Sequence, residues 1–192
     1  MVQTADLQAV SAELSPPLRL AAAYAPAASR TAWVGFLALD ERLGRVAQRG
    51  GEPMLAQLRL AWWRDRLGES PDRWPAGEPL LALLRAWHAE LPALAALVDG
   101  WEGTLADPAE VNSSALADAR IGAMLALGRL IGAPDPPDPI RAAASRWVTA
   151  GLGPRVRLSR AMRPLAILAE LGDGRRGLAG WLRIVRLGLL GR

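Results

Sequence analysis

The chain has 192 residues, enough for one domain with a hydrophobic core, and its 51% hydrophobic and 22% charged residues exclude an intrinsically disordered protein. It contains no Cys and a single histidine, His88, which excludes disulfides, thiolate catalysis and metal sites built from Cys or clustered His. The net charge of +4 is uneven: residues 1–138 carry 12 Arg and 17 acids, whereas residues 139–192 carry 11 Arg and 2 acids. The basic C-terminal part indicates an anionic partner.

Pro and Gly divide the chain into segments that are rich in Leu and Ala and lack the two-residue alternation of a strand. In chain order, this punctuation predicts helices over about 4–14, 17–25, 27–48, 53–69, 79–91, 92–106, 113–132, 139–151, 154–171 (kinked at Pro164) and 176–190. The segment APDPPDP at 133–139 is interpreted as a stiff linker, after which Asp138 caps the next helix. The fold class is therefore all-α: a single-domain helical bundle over 1–192, with a basic C-terminal helical part after the linker.

The segment EPMLAQLRLAWWRDRL at 52–67 is the most distinctive in the chain. On a helical wheel, Leu58, Trp62 and Asp65 share a face, and a second apolar strip contains Trp63. Two apolar strips favour a helix buried on most sides at the centre of the bundle, with Asp65 paired to an Arg of a neighbouring helix. Its tryptophans are interpreted as core residues or, alternatively, as part of a ligand pocket lined by Leu58, Trp62, Trp63 and Asp65.

Several segments together resemble the squalene/phytoene synthase family, in particular a short bacterial branch. They are Tyr24-Ala25-Pro26, Arg30, FLALDERLGRV at 36–46, the tryptophan segment, ARIGAMLALGRLIGA at 119–133, RPLAILAELGD at 163–173 and WLRIVRLGLLGR at 181–192. The resemblance implies the all-α class I isoprenoid (trans-prenyltransferase) synthase fold around a central cavity. It also implies head-to-head joining of prenyl diphosphates, with Mg²⁺ held by two aspartate-rich helices.

The carboxylates that the resemblance requires are missing from the matching positions. The aspartates of the first motif fall on Gly44, Arg45 and Gln48, while the neighbouring Asp40 and Glu41 are adjacent and are expected to point in different directions on a helix. The second motif falls in 139–153, and no acid occurs between Asp138 and Glu170. We therefore expect no metal ligands, no catalytic residues and no cofactor. The Asp99/Glu102 pair is interpreted as solvated surface.

Other chemistries find little support. His88 has no serine in a nucleophile elbow to activate, and a chain without Lys contains no P-loop. The C-terminal arginines alternate with apolar residues, a pattern that favours a membrane surface or a protein partner over nucleic acid. The candidate contacts are Arg155, Arg157, Arg160, Arg183 and Arg186.

The leading hypothesis from the sequence is a catalytically silent binding or assembly protein, similar to the family branch that includes a mitochondrial complex I assembly factor. We expect a cytoplasmic protein, peripheral at the inner membrane face, with a protein or membrane partner and room for an isoprenoid or quinone tail. The alternative is an active head-to-head prenyl diphosphate transferase that uses Mg²⁺ and either Asp40 or Asp65. A third hypothesis is a subunit of a larger hetero-oligomer.

Overall fold

The computed structural model describes residues 4–48, 52–105 and 114–171. These residues form nine α-helices and two 3₁₀ turns, and they contain no strand, which confirms the predicted all-α class. The helices are α1 (Thr4–Glu13), α2 (Pro16–Ala23), α3 (Arg30–Gln48), α4 (Pro53–Gly68), α5 (Pro79–Leu84), α6 (Leu91–Gly103), α7 (Ser114–Leu130), α8 (Pro137–Val148) and α9 (Arg163–Leu171), with 3₁₀ turns at Pro71–Arg73 and Arg85–Trp87. Within the described ranges, no helix combines the length and the hydropathy needed to cross a bilayer.

Helix α3 lies at the centre of the bundle. Every residue from 32 to 40 is buried, so the helix has no solvent face along its first half. Helices α1, α2, α4, α5 and α6 all contact it, and Gly35 lets α5 approach closely, since a Cβ there would lie 3.3 Å from a methyl group of Leu84. Around α3, α4 packs on α6, α6 on α7, α7 on α8, α8 on α9, and α9 on α2, while α5 packs on α1.

The prediction that the tryptophan helix is central is wrong, because α4 buries only one of its two apolar strips. Leu60, Trp63 and Leu67 are buried. The other strip faces outward, with Leu58 61% and Trp62 40% exposed. Both strips have a helical period, and the positions of α3 and α6 decide which one is covered.

The segment between α7 and α9 differs from its prediction in two places. Helix α8 already begins at Pro137, within the predicted linker, so 131–136 connects it to α7. Asp135 in this connection is held because the Ser159 backbone N–H donates to its Oδ1 at 2.7 Å. The predicted helix over 154–171 forms only from Arg163. Before it, the buried guanidinium of Arg146 donates to the carbonyl oxygens of Gly151 and Gly153 and fixes a non-helical course. The predicted helix over 176–190 lies outside the described residues.

Helices α7 and α8 end in the same Schellman motif, but with different residues at the left-handed position. After α7 this residue is Gly132 (φ 60°), and the Ala133 N–H donates to the Gly128 carbonyl oxygen at 2.9 Å. After α8 it is Ala150 (φ 53°), and the Gly151 N–H donates to the Arg146 carbonyl oxygen at 2.7 Å. A Cβ is unfavourable in this conformation, so Ala150 stores strain that Gly132 does not.

We expect Ala150→Gly to raise the free energy of unfolding by about 0.5–1 kcal/mol, since relief of the left-handed strain exceeds the entropic cost of glycine. The matched reverse change, Gly132→Ala, should lower it by about 1 kcal/mol. Urea unfolding followed by tryptophan fluorescence measures both. A destabilised Ala150→Gly variant would contradict the assignment of strain to this position.

Candidate functional site

A partly open pocket of about 390 Å³ lies beside the second half of α3. Five α3 residues line it, at positions that share one side of the helix because residues three or four apart are neighbours on its surface: Asp40, Glu41, Gly44, Arg45 and Gln48. The opposite walls come from the start of α2 and from single turns of α6, α7 and α8: Ser15, Pro17, Leu18, Trp101, Arg120, Trp147 and Val148. The pocket is therefore built at a junction of five helices.

The floor of the pocket is an ion pair between a buried carboxylate and a partly buried guanidinium. Asp40 is 4% exposed and accepts a hydrogen bond from Trp101 Nε1 at 2.7 Å. Arg120 Nε lies 3.1 Å from both carboxylate oxygens of Asp40, and its Nη2 lies 3.0 Å from Oδ2. The same guanidinium lies over the Trp101 ring (4.8 Å to the centroid) and the Trp147 ring (5.5 Å). Asp40 is thus stabilised by its charge pair with Arg120 and by the Trp101 hydrogen bond. The two cation–π contacts hold the Arg120 guanidinium in position.

Gly44 makes the approach of Trp101 to Asp40 possible. A Cβ at this position would lie 2.9 Å from two carbon atoms of the Trp101 ring, closer than side-chain atoms pack. Sequence reasoning did not single out Trp101, Arg120 or Trp147. One signal was present: a glycine inside a helix costs about 1 kcal/mol relative to alanine and indicates a packing or functional reason.

The two remaining charged groups of the pocket have different surroundings. Glu41 accepts hydrogen bonds from the Ser15 backbone N–H at 3.2 and 3.0 Å, next to α2, whose first two residues are prolines and lack N–H groups. Arg45 is held loosely: its Nη2 lies 4.0 Å from a Glu13 oxygen, and within the described part of the chain its buried Nε has no hydrogen-bond partner. Arg45 is thus the least committed charge in the pocket.

The pocket contains the three positions on which the resemblance places aspartates: Gly44, Arg45 and Gln48. Asp40 and Glu41 both border it too, so the expectation that these two adjacent carboxylates diverge is only partly right. Their hydrogen bonds diverge, toward α6 and α7 for Asp40 and toward α2 for Glu41, but their side chains share one cavity. Among the described residues, no three His, Cys, Asp or Glu side chains are grouped closely enough to hold a metal ion.

The sequence-predicted pocket residues lie elsewhere, and none of the four borders this pocket. Leu58, Trp62 and Asp65 are on the exposed face of α4, where hydration removes the need for the Arg partner predicted for Asp65. Trp63 is buried, with the Arg42 guanidinium 5.8 Å from its ring centroid and the Trp62 ring packed edge-on at 4.9 Å.

The predicted contact residues for an anionic partner divide into two groups. Arg155, Arg157 and Arg160 are exposed in the non-helical stretch before α9, where Arg155 Nε donates to Glu170 Oε1 at 2.9 Å. Arg183 and Arg186 lie outside the described residues.

The Asp99/Glu102 pair binds an arginine of the neighbouring helix. Arg64 Nε donates to Asp99 Oδ1 at 2.8 Å, and its Nη2 donates to Glu102. The hydrogen bonds that Arg64 donates to Glu102 and then to Asp99 raise the pKa of Arg64 above its usual value. Asp99 also borders a second pocket of about 480 Å³ between α6 and α7, and the other described residues of its walls are Asp118, alanines and glycines. The pair therefore fastens α4 to α6.

We expect Asp40→Asn to lower the free energy of unfolding by about 3 kcal/mol, because it leaves the largely buried Arg120 without its counter-charge. The matched control, Asp65→Asn on the exposed face of α4, should change it by less than about 0.5 kcal/mol. Urea unfolding measures both. A neutral or stabilised Asp40→Asn variant would indicate a residue held in place for function at the expense of stability.

Comparison of the chain with protein-family models, with curated proteins and with solved structures gave no match. The resemblance to squalene/phytoene synthases therefore depends on the sequence segments that carry it.

Proposed function

We propose that this chain is a catalytically silent, squalene/phytoene synthase-like protein that binds a ligand or assembles with a partner. The observation that supports this most is the state of Asp40. Its carboxylate is the most deeply buried acid of the pocket, and Arg120 and Trp101 already bind it. Around it, the positions matched to metal-binding aspartates carry Gly44, Arg45 and Gln48.

This arrangement is unfavourable for metal-assisted ionisation of a diphosphate. Mg²⁺ requires near-octahedral oxygen coordination, usually through one or two carboxylates and several waters. An ion at Asp40 has to displace Arg120 from a paired, ring-stacked position, which leaves a guanidinium uncompensated beside a second cation, Arg45. Binding without chemistry is the function that these contacts favour.

The alternative is an active head-to-head prenyl diphosphate transferase. One observation favours it: Asp40 and Glu41 border the same cavity. In that case Arg120 swings away from Asp40 when substrate and Mg²⁺ enter, and Glu41 releases the Ser15 N–H. The cost of both rearrangements makes this the second candidate.

Two surfaces support a binding or assembly role. Large apolar side chains are exposed along one face of α4, at Met54, Leu55, Leu58 and Trp62. The stretch 152–161 presents Leu152, 75% exposed, together with Arg155, Arg157 and Arg160. We propose a protein partner or the cytoplasmic face of the inner membrane as the contact of these surfaces. An isoprenoid or quinone tail is the ligand that the family resemblance suggests.

We expect no release of pyrophosphate from farnesyl diphosphate in the presence of Mg²⁺ above the rate with heat-denatured protein. The physical reason is that Asp40 is already bound by Arg120. A coupled pyrophosphate assay measures this. Turnover that Asp40→Asn or Asp65→Asn abolishes, and that the control Asp118→Asn at an exposed position of α7 retains, would establish the transferase alternative instead.

For the membrane contact, we expect the double variant Arg157→Gln/Arg160→Gln to bind phosphatidylglycerol vesicles about 30-fold more weakly at low salt, at about 1 kcal/mol per arginine. The control is Arg19→Gln/Arg73→Gln, which removes two exposed arginines from α2 and the first 3₁₀ turn, outside both proposed contact surfaces. Co-sedimentation measures both. Equal losses in the two variants, or no vesicle binding by the unaltered chain, would reject the membrane contact and leave the protein partner.

A further inference from the structure

We propose that the α3 pocket binds a small amphiphile that ends in a single carboxylate, with a chain of about ten carbon atoms, in preference to a diphosphate. This inference rests on the proposed binding function and specifies its ligand class. Charge, apolar lining and volume each support it.

Among the lining residues that the structure describes, the charges leave one cation for a ligand. Asp40 and Arg120 neutralise each other, and Glu41 is turned to the Ser15 N–H at the start of α2. Arg45 remains, with a side chain 40% exposed, a distant contact to Glu13 and a buried Nε without a hydrogen-bond partner in the described part of the chain. A guanidinium binds a carboxylate through two parallel N–H···O bonds. The single positive charge of Arg45 therefore balances the charge of one carboxylate.

A diphosphate fits this pocket poorly for the same reason. It carries more negative charge than one guanidinium balances, and Glu41 lies one residue from Asp40 on the same wall. Gln48, three residues after Arg45 at the exposed end of α3, adds an amide donor that suits a second hydrogen bond to a carboxylate and supplies no charge.

The wall opposite α3 suits an alkyl chain. Pro17 and Leu18 from α2, with Trp147 and Val148 from α8, provide the apolar surface. Trp147 is partly buried, with its ring edge-on to Phe36 at 6.2 Å and the Arg120 guanidinium over it. A chain laid along this wall buries apolar surface, and its acid group meets Arg45 on the other side.

The volume limits the length of the ligand. At about 30 Å³ for each water-sized group, the pocket of about 390 Å³ holds about a dozen non-hydrogen atoms. Decanoate has this size. A farnesyl diphosphate has about twice as many non-hydrogen atoms and extends well beyond the cavity.

The experiment compares decanoate, decanol and farnesyl diphosphate by isothermal titration of the full chain without metal. We expect decanoate to bind about 10- to 150-fold more tightly than decanol, the range for a hydrogen bond to a charged group. Arg45→Gln should remove that difference and leave decanol binding unchanged, whereas Arg45→Lys should keep part of it. Arg59→Gln, a surface arginine of α4, is the control and should behave as the unaltered chain.

A second variant tests the apolar wall separately. Leu18→Ser should weaken decanoate and decanol by the same factor, because it removes apolar contact and no charge. Circular dichroism and urea unfolding of every variant show that it is folded before it is titrated.

The proposal is overturned if decanol binds as tightly as decanoate, if Arg45→Gln leaves decanoate unaffected, or if farnesyl diphosphate binds more tightly than decanoate. Failure of the proposed function gives a different result, namely pyrophosphate release in the turnover assay. Absence of decanoate binding together with absence of turnover rejects the ligand class alone.

Discussion

The Asp40–Arg120 ion pair is the contact on which the second half of the bundle depends. It joins the central helix α3 to α7, Trp101 brings α6 to the same carboxylate, and the Trp147 ring of α8 covers the guanidinium. Removing two charges from water is expensive, and such a pair is favourable only when its hydrogen bonds are satisfied. Here both oxygens of the Asp40 carboxylate accept hydrogen bonds, and the Arg120 guanidinium contacts two aromatic rings. A side chain committed in this way holds helices together and is poorly placed to bind a metal ion.

The form of the pocket follows from this contact. Trp101 reaches Asp40 by passing over Gly44. Its indole ring occupies the space that a side chain at position 44 would otherwise fill. Because Arg120 binds Asp40, Arg45 supplies the cationic character of the opening among the lining residues within 4–48, 52–105 and 114–171. The resemblance to isoprenoid synthases and the chemistry of this site therefore lead to different ligands. One implies a diphosphate with Mg²⁺, while the contacts favour a single acid group beside an apolar wall.

The sequence predicted the features that depend on residues close together in the chain, and missed those that depend on contacts between distant residues. Pro53 and the Ser70-Pro71 pair placed the ends of α4 well, and Gly132 placed the end of α7, because these residues constrain their own backbone. Which apolar strip of α4 is buried is decided by helices distant in sequence. The non-helical course before α9 depends on Arg146 and on the Asp135–Ser159 contact, which a helical pattern does not reveal. The site divides in the same way: the resemblance led to Gly44, Arg45 and Gln48, whereas Trp101 and Arg120 join Asp40 from 61 and 80 residues away.

The charge asymmetry of the sequence has a partly structural origin. Arg146, in the basic C-terminal part, is buried, donates to backbone carbonyl oxygens and lies 3.7 Å from Glu170, which also accepts from Arg155. These arginines fix the path of the chain between α8 and α9. The exposed Arg157 and Arg160 are carried by the stretch that this network holds in place. A partner that binds them therefore meets a preformed surface, so less of its binding energy is spent on ordering the chain. The buried contacts of Arg146 thus hold the exposed arginines of this stretch in a fixed arrangement.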